Sequence, residues 1–230
     1  MRRQEIGSAR LTKKVQKVNM VRYRIAYQKN EAIKYTSNLD LYRVWERTLR
    51  RAGLPVVYSQ GFHPQPKINL ACPLPLGMTS KVELVDIWLH ETQNIDHLKQ
   101  LLDHSIPPGI DIDTIEEISP EEPPIQTMII SSVYCVELST GINTDDLKDK
   151  ISTVLSSPQL IRIRRNKTYD LRPLIIEISI SENDMHQPIL QMHLTATEGK
   201  TGRPDEVLLE LGIDPSDTLI SRTRLIMRGI

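Results

Sequence analysis

Hydrophobic and polar residues alternate along this chain in two recurring periods. Tyr23, Ile25 and Tyr27 alternate with Arg22, Arg24 and Gln28, the period of a half-buried strand. Ser37-Asn38-Leu39-Asp40 then offers a helix start, with a Ser cap and an acid three residues later. The spacing predicts a helix to about Ala52, with Leu41, Val44, Trp45, Thr48 and Ala52 on one face and Gly53 as its stop. Strands are predicted over 67–72 and 82–89, the latter alternating Val82, Leu84, Asp86 and Trp88 against Glu83, Val85, Ile87 and Leu89. A helix at about 95–105 turns Ile95, Leu98, Leu101 and Leu102 inward, and a short strand follows near 111–118. The order β-α-β-β-α-β is that of a ferredoxin-like unit.

The second part of the chain repeats this scheme less cleanly. Tyr134, Val136 and Leu138 mark a strand, and Leu147, Ile151, Val154 and Leu155 a helical stripe. Strands are predicted near 160–165, 174–181 and 189–196. A helix opens at Pro204 and closes at Gly212, and a last strand covers 219–228. One strand is left over, so this part is an elaborated ferredoxin-like unit or a related α+β fold. The expected class is α+β in two domains, which the 230-residue length accommodates.

Charge divides the chain further. Lys and Arg number 29, as do Asp and Glu, so the net charge is zero and a chain basic throughout is excluded. Residues 1–19 nevertheless hold Arg2, Arg3, Arg10, Lys13, Lys14 and Lys17 against Glu5 alone, and without apolar periodicity they are expected to form a disordered arm. Residues 111–124 carry Asp111, Asp113, Glu116, Glu117, Glu121 and Glu122 with no base. With Pro120, Pro123 and Pro124 in the same region, 119–128 reads as a linker between a domain at 20–118 and a second at 129–230. No apolar run reaches a membrane span, the N-terminal segment lacks the apolar core of a signal peptide, and Cys72 and Cys135 form no Cys-x-x-Cys pair. A cytoplasmic location is expected.

Several chemistries fail on spacing. Gly199-Lys200-Thr201 ends like a phosphate loop, but the glycine required five places before Gly199 is Leu194. Asp184-Met185-His186 lacks the glycine of a cobalamin-ligand motif, where Ile189 stands. His90, His97 and His104 recur every seven residues, too far apart on a helix to chelate one ion. No metal or cofactor is expected. The stretch 35–90 is richer. Arg43, Arg47 and Arg50 fall in a narrow arc opposite the apolar stripe, with Arg51 beside them, and suit either a solvated surface or phosphate contacts. The loop Tyr58-Ser59-Gln60-Gly61-Phe62-His63-Pro64, leading to Lys67, holds the chain's one phenylalanine, which either plugs the core or belongs to a binding surface.

Ser37-Asn38-Leu39-Asp40-Leu41, Arg50-Arg51-Ala52-Gly53-Leu54-Pro55, Tyr58-Ser59-Gln60-Gly61-Phe62-His63-Pro64 and Pro73-Leu74-Pro75-Leu76-Gly77 together resemble the radical-SAM-linked domain of unknown function. The resemblance continues through Asp170-Leu171-Arg172-Pro173 and Gly202-Arg203-Pro204. It implies a companion to a radical SAM enzyme, and the neighbourhood of genes for ribosomal proteins and a ribonuclease in that family points toward RNA. Members usually read Ser-His-Leu-Asp where this chain has Asn38, whose amide cannot act as a general base. Three roles follow as expectations. The preferred one is a non-catalytic accessory or substrate-presenting protein. The second is an RNA-processing enzyme, with His63 as general acid/base and Arg47 or Lys67 stabilising charge. The third is a protein-interaction module without nucleic acid.

Overall fold

The computed structural model describes residues 20–138, 142–164, 166–183 and 187–229. The basic segment 1–19 and the triplet Asp184-Met185-His186 lie outside the described residues. The fold is α+β, as the alternating periods predict.

The first half contains β1 (Val21–Lys29), α1 (Asn38–Arg51), β2 (Ile68–Leu70), β3 (Thr79–Leu89), α2 (Ile95–Ser105) and β4 (Ile110–Ile118). The predicted helix start is realised in detail. Ser37 Oγ accepts the Asp40 backbone N–H at 3.1 Å, and the Ser37 hydroxyl donates to the Asp40 carboxylate at 2.7 Å. Ser37 therefore caps α1, and Asn38 is its exposed first residue. Gly53 takes φ +66°, the left-handed conformation that ends the helix. The strands pair antiparallel in the order β4-β1-β3-β2, with Ile25 opposite both Val85 and Ile115 and Ile68 opposite Ile87. Tyr23, Ile25, Tyr27, Val85, Ile87 and Leu89 pack under Trp45 and Leu49 of α1 and Leu98 and Leu102 of α2. Ile95, expected inward, is 36% exposed at the start of its helix.

The second half contains α3 (Ile125–Met128), β5 (Ile129–Glu137), α4 (Thr144–Ser156), β6 (Ile161–Arg164), β7 (Lys167–Asp170), β8 (Ile175–Glu182), β9 (Pro188–Thr197), β10 (Lys200–Thr201), α5 (Pro204–Glu210) and β11 (Leu219–Met227). Its main strands run β8-β9-β5-β11, every neighbouring pair antiparallel. The surplus strand is explained: β6 and β7 form a separate two-stranded sheet, and the small β10 extends the edge of β9. Leu147, Ile151 and Val154 of α4 and Val207 and Leu208 of α5 cover Tyr134, Val136, Leu190, Met192 and Leu194.

The halves are joined by more than the chain between them. β11 runs parallel to the start of β3, Ser221 opposite Thr79 and Arg222 opposite Ser80, so nine strands form one sheet. This pairing also explains why β3 begins at Thr79, earlier than its hydrophobic alternation predicts. Of the stretch 119–128, only the first part is irregular. Ile125–Met128 forms a single helical turn in which Ile125 and Met128 are both buried, Ile125 packing with Ala71, Cys72, Leu84 and Ile129.

Candidate functional site

After α1 the chain does not go directly into β2. Val57 donates its N–H to Trp88 O at 2.8 Å, Lys67 donates to Val57 O at 2.7 Å, and Trp88 donates to Lys67 O at 3.3 Å. Tyr58 bridges Pro66, and Ser59 donates to Gln65 O at 2.8 Å while its hydroxyl accepts the Gln65 N–H at 3.0 Å. Residues 56–67 are thus a narrow β-arm grown on the end of β3, with Gln60-Gly61-Phe62-His63-Pro64 as its tip. Tyr42 of α1 donates its hydroxyl to Pro66 O at 2.7 Å and ties the arm's base to the helix. Phe62 stands fully in solvent at 102% relative exposure, so the ring is a surface feature and not a core plug.

A cleft of about 750 Å³ lies beside the arm, lined by Met20, Tyr58, Ser59, Gln60, Lys67 and His90 among others. Gly61 and Pro64 also line it, whereas Phe62 and His63 do not. His63 is exposed and makes no hydrogen bond among the described residues, so nothing there orients its ring for proton transfer. Lys67 Nζ, in the cleft lining, sits 4.6 Å from the Trp88 ring centroid, a cation–π contact. Arg43, Arg47, Arg50 and Arg51 are all exposed on α1, outside the cleft lining. Arg43 pairs with Asp40 at 3.3 Å, while Arg47, Arg50 and Arg51 form no ion pair among the described residues.

Two buried charge clusters were not foreseen. Arg22 and Arg24 were expected on the polar side of a half-buried strand, but both are buried, because the acidic segment folds over them. Arg24 grips the fully buried Asp86 with two bonds of 2.8 and 3.1 Å and reaches Glu122 at 3.4 Å. Arg22 donates to Ser119 O and Pro123 O at 3.1 and 3.3 Å, and its guanidinium carbon lies 5.8 Å from the Trp88 ring. Burial opposes the charge on Arg24, but Asp86 and Glu122 outweigh it and raise its pKa.

The second cluster lies where β11 meets β3. Arg222, wholly buried, pairs with Glu83 at 2.8 Å and donates to Pro73 O at 3.0 Å and to Tyr134 Oη at 3.2 Å. Lys29 Nζ donates to Lys34 O and Thr36 O at 3.1 and 3.2 Å nearby. Burial pushes the Glu83 carboxyl up, against the opposing pull of Arg222, and pushes the Cys72 thiol up as well. The Pro73–Gly77 motif thereby acquires a structural reason. Its first carbonyl receives Arg222, and Gly77, at φ +81°, donates to Lys34 O while its α-carbon faces the Tyr35 ring. The signal was legible, since Glu83 shares its strand face with Val85, Ile87 and Leu89.

No group of three or more potential metal ligands occurs among the described residues. No helix among them is long and apolar enough to cross a membrane.

No curated protein matches this chain. Solved structures that match include one described provisionally as a glycine cleavage system transcriptional repressor. It is 12% identical over 91% of this chain and 99% of that one, with a TM-score of 0.27. A family model described as an uncharacterized protein conserved in bacteria (DUF2344) matches residues 22–204, a span that contains α1, the arm and both buried charge clusters except for Arg222. The chain belongs to that family.

Proposed function

We propose that this protein is a non-catalytic accessory partner of a radical SAM enzyme, in the cytoplasm, and that it presents RNA to that enzyme. The link to a radical SAM enzyme rests on the motif resemblance. The observation that carries the binding role is the arm: a backbone-anchored ribbon that holds an aromatic ring wholly in solvent, tied through Tyr42 to a helix bearing unpaired arginines. An exposed ring suits stacking on an unpaired base, and guanidinium groups suit phosphates. Aromatic residues are only 4% of the chain, so the backbone contacts carry most of the affinity. We also read the halves as two ferredoxin-like domains side by side. The orders β4-β1-β3-β2 and β11-β5-β9-β8, each antiparallel with two helices on one face, support that reading.

The test is a salt titration of single-stranded RNA binding. Each phosphate contact contributes about −0.7 to the log–log salt slope, so replacing Arg43, Arg47 and Arg50 with Gln flattens it by about two units. Affinity falls similarly for all sequences. An unchanged slope and affinity would overturn the phosphate reading, and cleavage of the RNA by the purified protein would overturn the non-catalytic one. Affinity purification from the native cell should recover a radical SAM protein.

A further inference from the structure

We propose that a cavity in the second half, remote in sequence from the arm, binds a nucleoside phosphate. The cavity measures about 650 Å³, within the ordinary range for small-molecule sites. It opens between the β6–β7 hairpin, the turn from β9 to β10, and the corner at Pro173–Leu174. Four cations line it: Arg164, Lys167, Lys200 and Arg203. Arg164 is shared with Glu206 at 3.8 Å and Arg203 with Asp205 at 2.6 Å. Lys167 and Lys200 are exposed and form no ion pair among the described residues, which leaves two ammonium groups for a dianion.

The remaining wall suits a ring. Tyr169, Pro173 and Leu174 give apolar surface, and inorganic phosphate alone would leave most of the volume unfilled. Burial raises the Tyr169 pKa, so its hydroxyl stays neutral and the ring presents an uncharged aromatic face.

The cavity is built in advance, and the two motifs of the second half build it. The Asp170 carboxylate accepts the N–H groups of Leu160 and Arg172 at 2.8 and 3.0 Å. Arg172 spends its own guanidinium on Leu155 O at 2.8 and 3.0 Å and on Ile175 O at 3.1 Å. These bonds fix the corner that carries Pro173. Behind that corner Gly202 donates to Thr195 O at 2.8 Å and packs directly against Leu174, where a Cβ would lie 2.8 Å from Leu174 O. Gly199-Lys200-Thr201 thus serves phosphate without a glycine-rich cradle: Lys200 acts as a point charge from a strand edge, not as part of a loop of backbone donors.

The whole chain is titrated calorimetrically with AMP, CMP, GMP and UMP, with adenosine and inorganic phosphate as controls. Nucleoside monophosphates should bind at least about tenfold more tightly than either control, since each control lacks one half of the recognised group. Lys167→Gln/Lys200→Gln should lose about tenfold or more, and both positions are exposed enough for the variant to fold. RNA carrying a 5′-phosphate is compared with the same RNA ending in a hydroxyl. Preference for the phosphorylated end above free nucleotide assigns the ligand to an RNA terminus, and equal affinity assigns it to a free nucleotide. The proposal is overturned if no monophosphate binds, if inorganic phosphate binds as tightly, or if the double lysine variant binds like the parent. It stands apart from the α1 reading, because the lysine variant leaves the helix intact and the arginine variant leaves the cavity intact.

Discussion

The two halves share a strand order, and in both the connection from the first helix to the second strand is enlarged. In the first half the enlargement is the arm, which joins the main sheet through backbone bonds between Val57, Lys67 and Trp88. In the second it is the β6–β7 hairpin, which pairs only with itself. That hairpin is held by side chains: Arg162 meets Glu206 at 3.6 Å and Glu210 at 3.3 Å and donates to Glu206 O at 2.9 Å. Each enlargement borders a cleft lined in part by lysine, Lys67 in one and Lys167 in the other. One position in the topology therefore supplies both candidate sites, with opposite means of support. The arm's backbone bonds carry no net charge for salt to screen, whereas the partly exposed ion pairs that add to the hairpin's support weaken as salt rises.

The seam tests whether the halves stand or fall together. Glu83→Gln leaves the Arg222 guanidinium buried without its carboxylate, and breaking a buried pair costs about 3–5 kcal/mol. Urea unfolding should show that loss. The double variant Glu83→Met/Arg222→Met removes both charges and should recover part of it, the Cys72 and Pro73 carbonyls losing their donor. A loss below about 1 kcal/mol in the single variant would show that the halves do not lean on this contact. A second transition would show that they unfold separately.

What could be read in advance divides along the range of the interaction. The limits of α1 were legible because Ser37, Asp40 and Gly53 act within a few residues of the helix ends. The β6–β7 hairpin collapsed into one predicted strand because its turn contains Asn166 at φ +61°, a local signal with no glycine to flag it. The covered face of β1 was not legible at all. Arg22 and Arg24 alternate like solvent-facing residues, and only a segment about one hundred positions away supplies Ser119, Glu122 and Pro123 to cover them. The loop 58–64 was recognisable as a loop, but the fate of its ring depended on where β3 carries it.

A smaller effect separates the supports of the two enlargements. Gly202→Ala places a methyl 2.8 Å from Leu174 O and 3.0 Å from the Leu194 Cβ, both in packed structure. Overpacking of this kind costs about 1–3 kcal/mol. Gly202 has no left-handed φ, so the cost is contact alone. Thermal unfolding measures it, and an unchanged midpoint would mean that the wall carrying Leu174 yields freely. The same variant should weaken nucleoside monophosphate binding by moving that wall, while RNA binding through α1 stays as it was.

The least change in stability is expected at the most conspicuous residue. Phe62 makes no buried contact at the arm's tip, so Phe62→Ala should alter the unfolding free energy by no more than about 0.5 kcal/mol. A ring in the core would cost about 3–5 kcal/mol instead, which makes the measurement decisive about the arm's geometry in solution. Binding should respond in the opposite proportion. Removing a ring that stacks on a base lowers RNA affinity by about 1–3 kcal/mol without changing the salt slope, since no phosphate contact is lost. The arginine variant of α1 should show the converse, a flattened slope with little effect on stability. If Phe62→Ala leaves affinity untouched while the arginine variant weakens it, α1 holds the RNA and the tip is free to meet the enzyme. If both variants leave affinity untouched, the arm and helix do not carry the RNA, and a protein-binding role for them would show as lower recovery of the proposed radical SAM partner with Phe62→Ala.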